Sequence, residues 1–139
     1  LPGEKADSVH LADWPMDELE LSDVEKAVWQ NLFDHREPAL AELEKARQEK
    51  LIGKALEAQV TITGKSADLE IALAHAEPLR ELINVSQLEL VADENTEGSS
   101  YTVTKAAGAK CTRCWRWEET VGQHEAHPEC CSRCVNAIA

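Results

Sequence analysis

Basic residues are scarce in this 139-residue chain: 14 Lys and Arg stand against 26 Asp and Glu, a net charge of −12. An acidic balance of that size argues against a generic nucleic-acid binder, because such binding comes mainly from neutralising phosphates. Long apolar runs are lacking too. None approaches the roughly 18 residues of a membrane-crossing helix, so no membrane partner is expected. With one Phe and one Tyr, any core must be aliphatic, although a 43% hydrophobic share suffices for globular structure. The chain starts at Leu1 with neither a methionine nor a targeting segment, which suits a piece of a larger protein. No cysteine precedes residue 111, so no disulfide framework spans the sequence, and five cysteines in a metal-like arrangement suit a reducing cytoplasm.

What is present is concentrated at the far end. Cys111-Thr112-Arg113-Cys114 is followed, 16 residues later, by Cys131-Ser132-Arg133-Cys134. Each CxxC can turn tightly enough to present two sulfurs to one tetrahedral ion, so the two pairs predict a single structural zinc held by four thiolates. A pair of disulfides is the plainer alternative, and a redox CxxC would need one pair in a βαβ setting rather than two. Cys130 leaves a choice open, since its spacing to Cys134 is also permitted for a ligand. Cys131 is preferred because its spacing repeats that of the first pair. His124 and His127 lie in the same loop and could each replace a sulfur, though loop histidines are more often solvated.

The length suggests one domain or two small ones. Residues 1–21 read as irregular, with Val9, Leu11 and Trp14 as anchors for a helical neighbour. Ser22-x-x-Glu25 is a capping box opening an apolar pattern at Val24, Ala27, Val28 and Leu32, which predicts a helix over 23–36. At Pro38 the helix either kinks or gives way to a second one reaching about residue 51, where Gly53 ends it. Charged residues along this stretch read as solvated helix surface. Ala58, Val60 and Ile62 alternate with polar neighbours, as in a half-buried strand. A turn at 64–66 is expected to lead to a second hairpin strand over 67–74, with helix the alternative because alanines are frequent there. Pro78 then sits early in a helix that Asn84 closes, and two strands follow around Leu88–Leu90 and Tyr101–Thr104. The fold class predicted is α+β: a helical segment over 1–55, a small mixed unit over 56–106 and a metal-binding finger over 107–139. The middle unit has no paired carboxylates, nucleophile–base pair or phosphate-binding loop, and His75 stands alone in an aliphatic setting. Ala106–Ala109 reads as a flexible joint, and Gly122 as the turn between the knuckles.

Charge divides along the same line. Residues 1–104 hold 9 basic against 22 acidic side chains, whereas residues 105–139 hold 5 against 4. Arg113, Trp115, Arg116 and Trp117 cluster on and just after the first knuckle. Trp can stack on unpaired bases, and Arg can hydrogen-bond base edges or phosphates. The structural alternative makes Trp117 core and leaves the arginines solvated.

Cys111-x-Arg-Cys114-Trp115, a Val-Gly, His127-Pro128, then Cys131-x-Arg-Cys134-Val135 resembles the C-terminal zinc finger of bacterial isoleucyl-tRNA synthetases, itself related to the finger of formamidopyrimidine-DNA glycosylases. Ser8–Pro15 and Ile52–Ala58 resemble two further segments of the same synthetase family, in the right order. Cys130 departs from that pattern, where a hydrophobic residue is usual. The resemblance implies that residues 1–55 end the anticodon-binding region and that the parent enzyme joins isoleucine to its tRNA with ATP and magnesium. It also implies that this part helps hold the anticodon end of isoleucine tRNA, packed on the remaining domains of the same synthetase in the cytoplasm. Neither class I signature for adenylate formation occurs here, so the fragment itself should catalyse nothing. The other reading makes the finger a zinc staple without tRNA contact. Duplex DNA is not an expected partner, because nothing upstream resembles the glycosylases.

Overall fold

The computed structural model describes residues 20–138. The Ser8–Pro15 segment and its anchors Val9, Leu11 and Trp14 lie outside the described residues. Within them the fold is α+β.

The first helix, α1 (Asp23–Gln48), opens on the capping box: the Glu25 amide donates to Ser22 Oγ, and the Ser22 amide donates to Glu25 Oε2 at 2.8 Å. It runs as one helix through Pro38, so no second helix starts there, one of the two alternatives considered from sequence. The buried stripe Leu32, His35, Ala39, Leu43, Ala46 continues on both sides of the proline. That packing outweighs the one hydrogen bond a proline removes. The helix also ends earlier than Gly53. Lys50 takes the left-handed conformation at φ 60°, while the Lys50 amide bonds Arg47 O and the Leu51 amide bonds Ala46 O. This is a Schellman stop built without glycine.

After a 3-10 turn (Ala55–Glu57) comes β1 (Ala58–Gly64), whose Ala58, Val60, Ile62 and Gly64 point into the core. The expected hairpin strand over 67–74 is instead a helix, α2 (Ser66–Ala74), followed by α3 (Ala76–Ile83). Leu69, Leu79 and Ile83 are fully buried, and Asn84 at φ 64° closes α3 as its residue type suggested. The reason for the correction is topological. β2 (Gln87–Ala92) runs parallel to β1, and parallel neighbours need a crossover, which α2 and α3 supply. β3 (Ser100–Lys105) pairs antiparallel on the other edge, giving the order β2-β1-β3. Alternation in 67–74 was therefore not a strand period: Leu69 and Ala72, three residues apart, are both buried, a spacing that shares a helix face but falls on opposite faces of a strand.

α1, α2 and α3 pack with one face of this sheet around a single aliphatic core. Part-buried Tyr101 in β3 reaches across to α1, its hydroxyl 2.9 Å from His35 Nδ1. The opposite sheet face carries polar side chains, with Gln59 Nε2 and Thr61 Oγ1 both donating to Glu89 Oε2. No described helix is long and apolar enough to cross a membrane.

The helix over 66–74 makes a sharp prediction about two leucines that a strand would place on one face. Leu69→Ala should cost about 2–5 kcal/mol in urea denaturation, whereas Leu73→Ala, with Leu73 half-exposed at 49%, should cost under about 1 kcal/mol. Equal losses would contradict this difference in burial.

Candidate metal centre and the surface around it

The last 30 residues form little regular structure: a two-residue ribbon of β4 (Ala109–Lys110) against β5 (Trp117–Glu118), and a short helix, α4 (Ser132–Asn136). Between the ribbon strands runs the first knuckle. The Cys111 amide donates to Arg116 O and the Trp115 amide to Cys111 O, both at 2.9 Å, which closes a turn that holds Trp115 at φ 66°. The second knuckle leads into α4, where the Cys134 amide donates to Cys131 O. The Thr112 amide donates to Glu129 O at 3.1 Å and joins the two knuckles. Gly122 turns the connecting loop at φ 94°.

The sulfurs of Cys111, Cys114, Cys131 and Cys134 all lie within 4.8 Å of one another. Cys114 Sγ and Cys131 Sγ are 3.8 Å apart, and a tetrahedral zinc with bonds of ~2.3 Å separates its sulfurs by about 3.8 Å. The donor set and its spacing fit one structural ion. Cys130, though buried, stands outside this group, with its sulfur 3.9 Å from Thr112 Oγ1. His124 turns to Ser132, its Nε2 2.9 Å from the hydroxyl. The five cysteines, with Val121 and Val135 packed against them, form the one hydrophobic cluster of the segment among the described residues.

The four thiols do not share their protons evenly. Burial alone would push Cys111 up, but donation from the Cys114, Cys131 and Arg113 amides outweighs it and holds the thiol down at about 6. Burial pushes Cys131 up to about 12, and its sulfur neighbours push the same way. Arg133 is drawn to the cluster through a hydrogen bond to Cys114 and the charges of the sulfurs, which raise its own pKa. Its guanidinium offsets part of the negative charge that four thiolates and one zinc leave. The sequence showed Arg133 only as a spacer inside CxRC.

The four residues singled out beside the first knuckle separate into two groups. Arg113 is exposed, and Trp115, at 62% exposure, is the most solvent-facing of the described tryptophans. The Lys110 Nζ lies over its ring, 5.7 Å from the centroid. Arg116 turns the other way. It is only 8% exposed and its Nη2 pairs with Glu81 of α3 at 3.2 Å. Trp117 is half-buried beside Glu57, Lys105 and Ala106, and its amide donates to Ser86 Oγ at 2.7 Å. Ser86 is completely buried and also donates to Leu56 O. Arg116 and Trp117, grouped from sequence with Arg113 and Trp115, therefore turn to the body, because Glu81 and Ser86, distant in sequence, supply their partners.

The joint before the finger is also not the flexible link its small residues suggested. The Ala106 amide donates to Glu57 O at 2.8 Å. Ala107 and the Gln87 side chain exchange two hydrogen bonds, of 2.9 and 3.0 Å. Gly108, at φ 84°, packs so closely that a Cβ would meet the Glu118 carbonyl carbon at 2.4 Å. Glycine here serves close approach, not mobility.

A four-cysteine knuckle pair pinned to a small α+β body defines a zinc-finger module carried on a larger scaffold. Residues 108–137 match the family described as zinc finger found in FPG and IleRS. Along nearly its whole length the chain is similar to isoleucine-tRNA ligases. It is 38% identical to that of Exiguobacterium sibiricum over 144 residues (99% of this chain, 16% of the relative). It is 41% identical to that of Caldanaerobacter subterraneus over 145 residues (95% and 15%), and 36% identical to that of Pseudomonas putida over 152 (100% and 16%). The chain spans about a sixth of the length of these relatives.

Zinc retention should fall with acidity, because the metal-free cluster binds protons that the metal-loaded one has released. Cys131 releases a proton on loading at any pH below about 12. Cys111 adds a further proton only below about 6, so the loss steepens there. A colorimetric chelator titration from pH 8 to pH 5 measures this. In the same assay Cys131→Ser should release zinc and Cys130→Ser should keep it.

Proposed function

We propose that this chain is the C-terminal, tRNA-binding part of an isoleucyl-tRNA synthetase and that it helps hold the anticodon end of isoleucine tRNA while the parent enzyme works. In that division, residues 1–55 end the anticodon-binding helical region, 56–106 form a junction unit and 107–139 form the finger. Cys111, Cys114, Cys131 and Cys134 are the zinc ligands. They fill all four positions of a tetrahedral ion, so the metal keeps no open site for activating water and serves structure alone. ATP and magnesium belong to the catalytic domain of the whole enzyme, which would act in the cytoplasm.

The observation that carries the reading is Trp115. A large indole held at positive φ on a metal knuckle and left facing solvent costs burial that the finger could use, and such an indole is a platform for an unstacked base. Exposed Arg113, within the same knuckle, adds a donor for a base edge or a phosphate. Anticodon bases are unpaired and presentable, so this pair of side chains suits them. Since the body is strongly acidic, binding should rest on these few contacts rather than on general attraction.

The staple reading has its own support. Arg116 and Trp117 bind the finger to α3 and to the end of β1 and β2 through Glu81 and Ser86. The two readings divide the residues rather than compete for them: Arg116 and Trp117 fix the finger, and Arg113 and Trp115 face outward from it.

Fluorescence anisotropy with zinc-loaded chain and isoleucine tRNA separates the roles. Trp115→Ala should weaken binding by about 1–3 kcal/mol, the worth of one stacked base, with zinc content and melting unchanged. Arg116→Ala should instead lower stability by about 1.5–3 kcal/mol, the range for a hydrogen bond to a charged group. A tRNA with an altered anticodon should bind more weakly than the native one. Equal binding of both would leave the finger a staple.

A further inference from the structure

Lys110 belongs to no motif in the sequence, yet the fold places it against the exposed indole. We infer that Lys110 and Trp115 form a one-sided stacking platform, which takes a single unpaired base on the open face of the ring and the adjoining phosphate on the ammonium. This rests on the tRNA-contact reading of Trp115 given above.

Three features point the same way. The Lys110 ammonium sits 5.7 Å from the ring centroid, inside the roughly 6 Å range in which the electron-rich face of an indole holds a cation. With that face covered, one face is left for a base, so the site accepts one base and not a sandwich of two. Both residues are held from the backbone. Lys110 pairs across the ribbon with Trp117, and the Trp115 amide is anchored on Cys111 O, the residue next to Lys110. Finally, Arg116 is engaged with Glu81, which leaves Lys110 and Arg113 as exposed cations beside the indole, and of these Lys110 lies over its ring. Lys110 is exposed and has no carboxylate within ion-pair distance among the described residues. A base stacked on the open face brings its own phosphate to the rim of the ring, where the ammonium can reach it without leaving the indole. Residues 105–139 hold 5 basic against 4 acidic side chains, and four thiolates with one zinc add a further two negative charges, so one well-placed cation counts.

The test is salt-dependent binding of the zinc-loaded 139-residue chain to a fluorescently labelled anticodon stem-loop of isoleucine tRNA. Lys110→Gln should weaken binding several-fold at low salt and reduce the slope of log affinity against log salt by about 0.7, one phosphate on a single strand. Lys110→Arg should restore both. Zinc content and melting temperature should stay as in the unaltered chain. If the unaltered chain binds and Trp115→Ala weakens it, but Lys110→Gln changes neither affinity nor slope, the role of Lys110 is overturned and that of Trp115 stands. If the unaltered chain does not bind the stem-loop, both are overturned. A loss in Lys110→Gln that comes with lost zinc or a lower melting temperature, and that Lys110→Arg does not repair, makes Lys110 structural and also overturns the inference.

Discussion

The finger depends on four sulfurs converging on one point. Its 30 residues contain no aliphatic cluster that could fold them. Apart from Arg116, which pairs with the body, the buried side chains there are cysteines, with two valines at the margin. Without an ion to bind, the four thiols would be a small polar core with protons in dispute, Cys111 held low and Cys131 pushed high. Metal binding resolves that dispute by displacing the protons, so the folding energy of the segment is largely the binding energy of the ion. Trp115, Lys110 and Arg113 take their positions from the knuckle the metal closes. The surface proposed for tRNA thus exists only downstream of the metal.

A second constraint fixes where that surface points. Ser86 is a wholly buried hydroxyl at the start of β2, and it serves the body through Leu56 and the finger through Trp117. Around it the Gln87 amide and the Arg116–Glu81 pair tie down both sides of the joint. Buried polar groups of this kind add little net energy when satisfied but cost much when left unpaired. They therefore specify one orientation more than they stabilise it. Gly108 enforces the same closeness sterically. The finger is a fixed extension of the body, so an indole at its tip is presented in a defined direction.

Local signals in the sequence were reliable where the physics is local. The capping box, the Asn84 stop and the period of β1 each depend on residues within a few positions of one another, and each is found in the structure. The stretch 67–74 failed for a non-local reason. Its alternating Leu69, Ile71 and Leu73 fit a strand, and only the parallel pairing of β1 with β2 demands a helix there. At Pro38 the sequence left a kink or a second helix open, and the packing of Ala39 and Leu43 in the core carries one helix past it. Lys50 closes α1 in a conformation usually left to glycine or asparagine, so the expected stop at Gly53 fell three residues late.

At the candidate site the sequence by itself determined the metal chemistry. Two CxxC pairs can meet one tetrahedral ion whatever the surrounding fold, because the ion imposes the geometry. It also marked Arg113 and Trp115, since their knuckle positions are fixed by the cysteines that flank them. Only the tertiary structure decided that Arg116 and Trp117 turn inward, that Arg133 sits against a sulfur and that Lys110 lies on the indole. Each of those outcomes depends on a partner outside the residue's own local stretch of chain, such as Glu81 or Ser86, or on a ribbon whose two strands the knuckle itself separates. Spacing along a chain carries no information about such partners until the fold has brought them together.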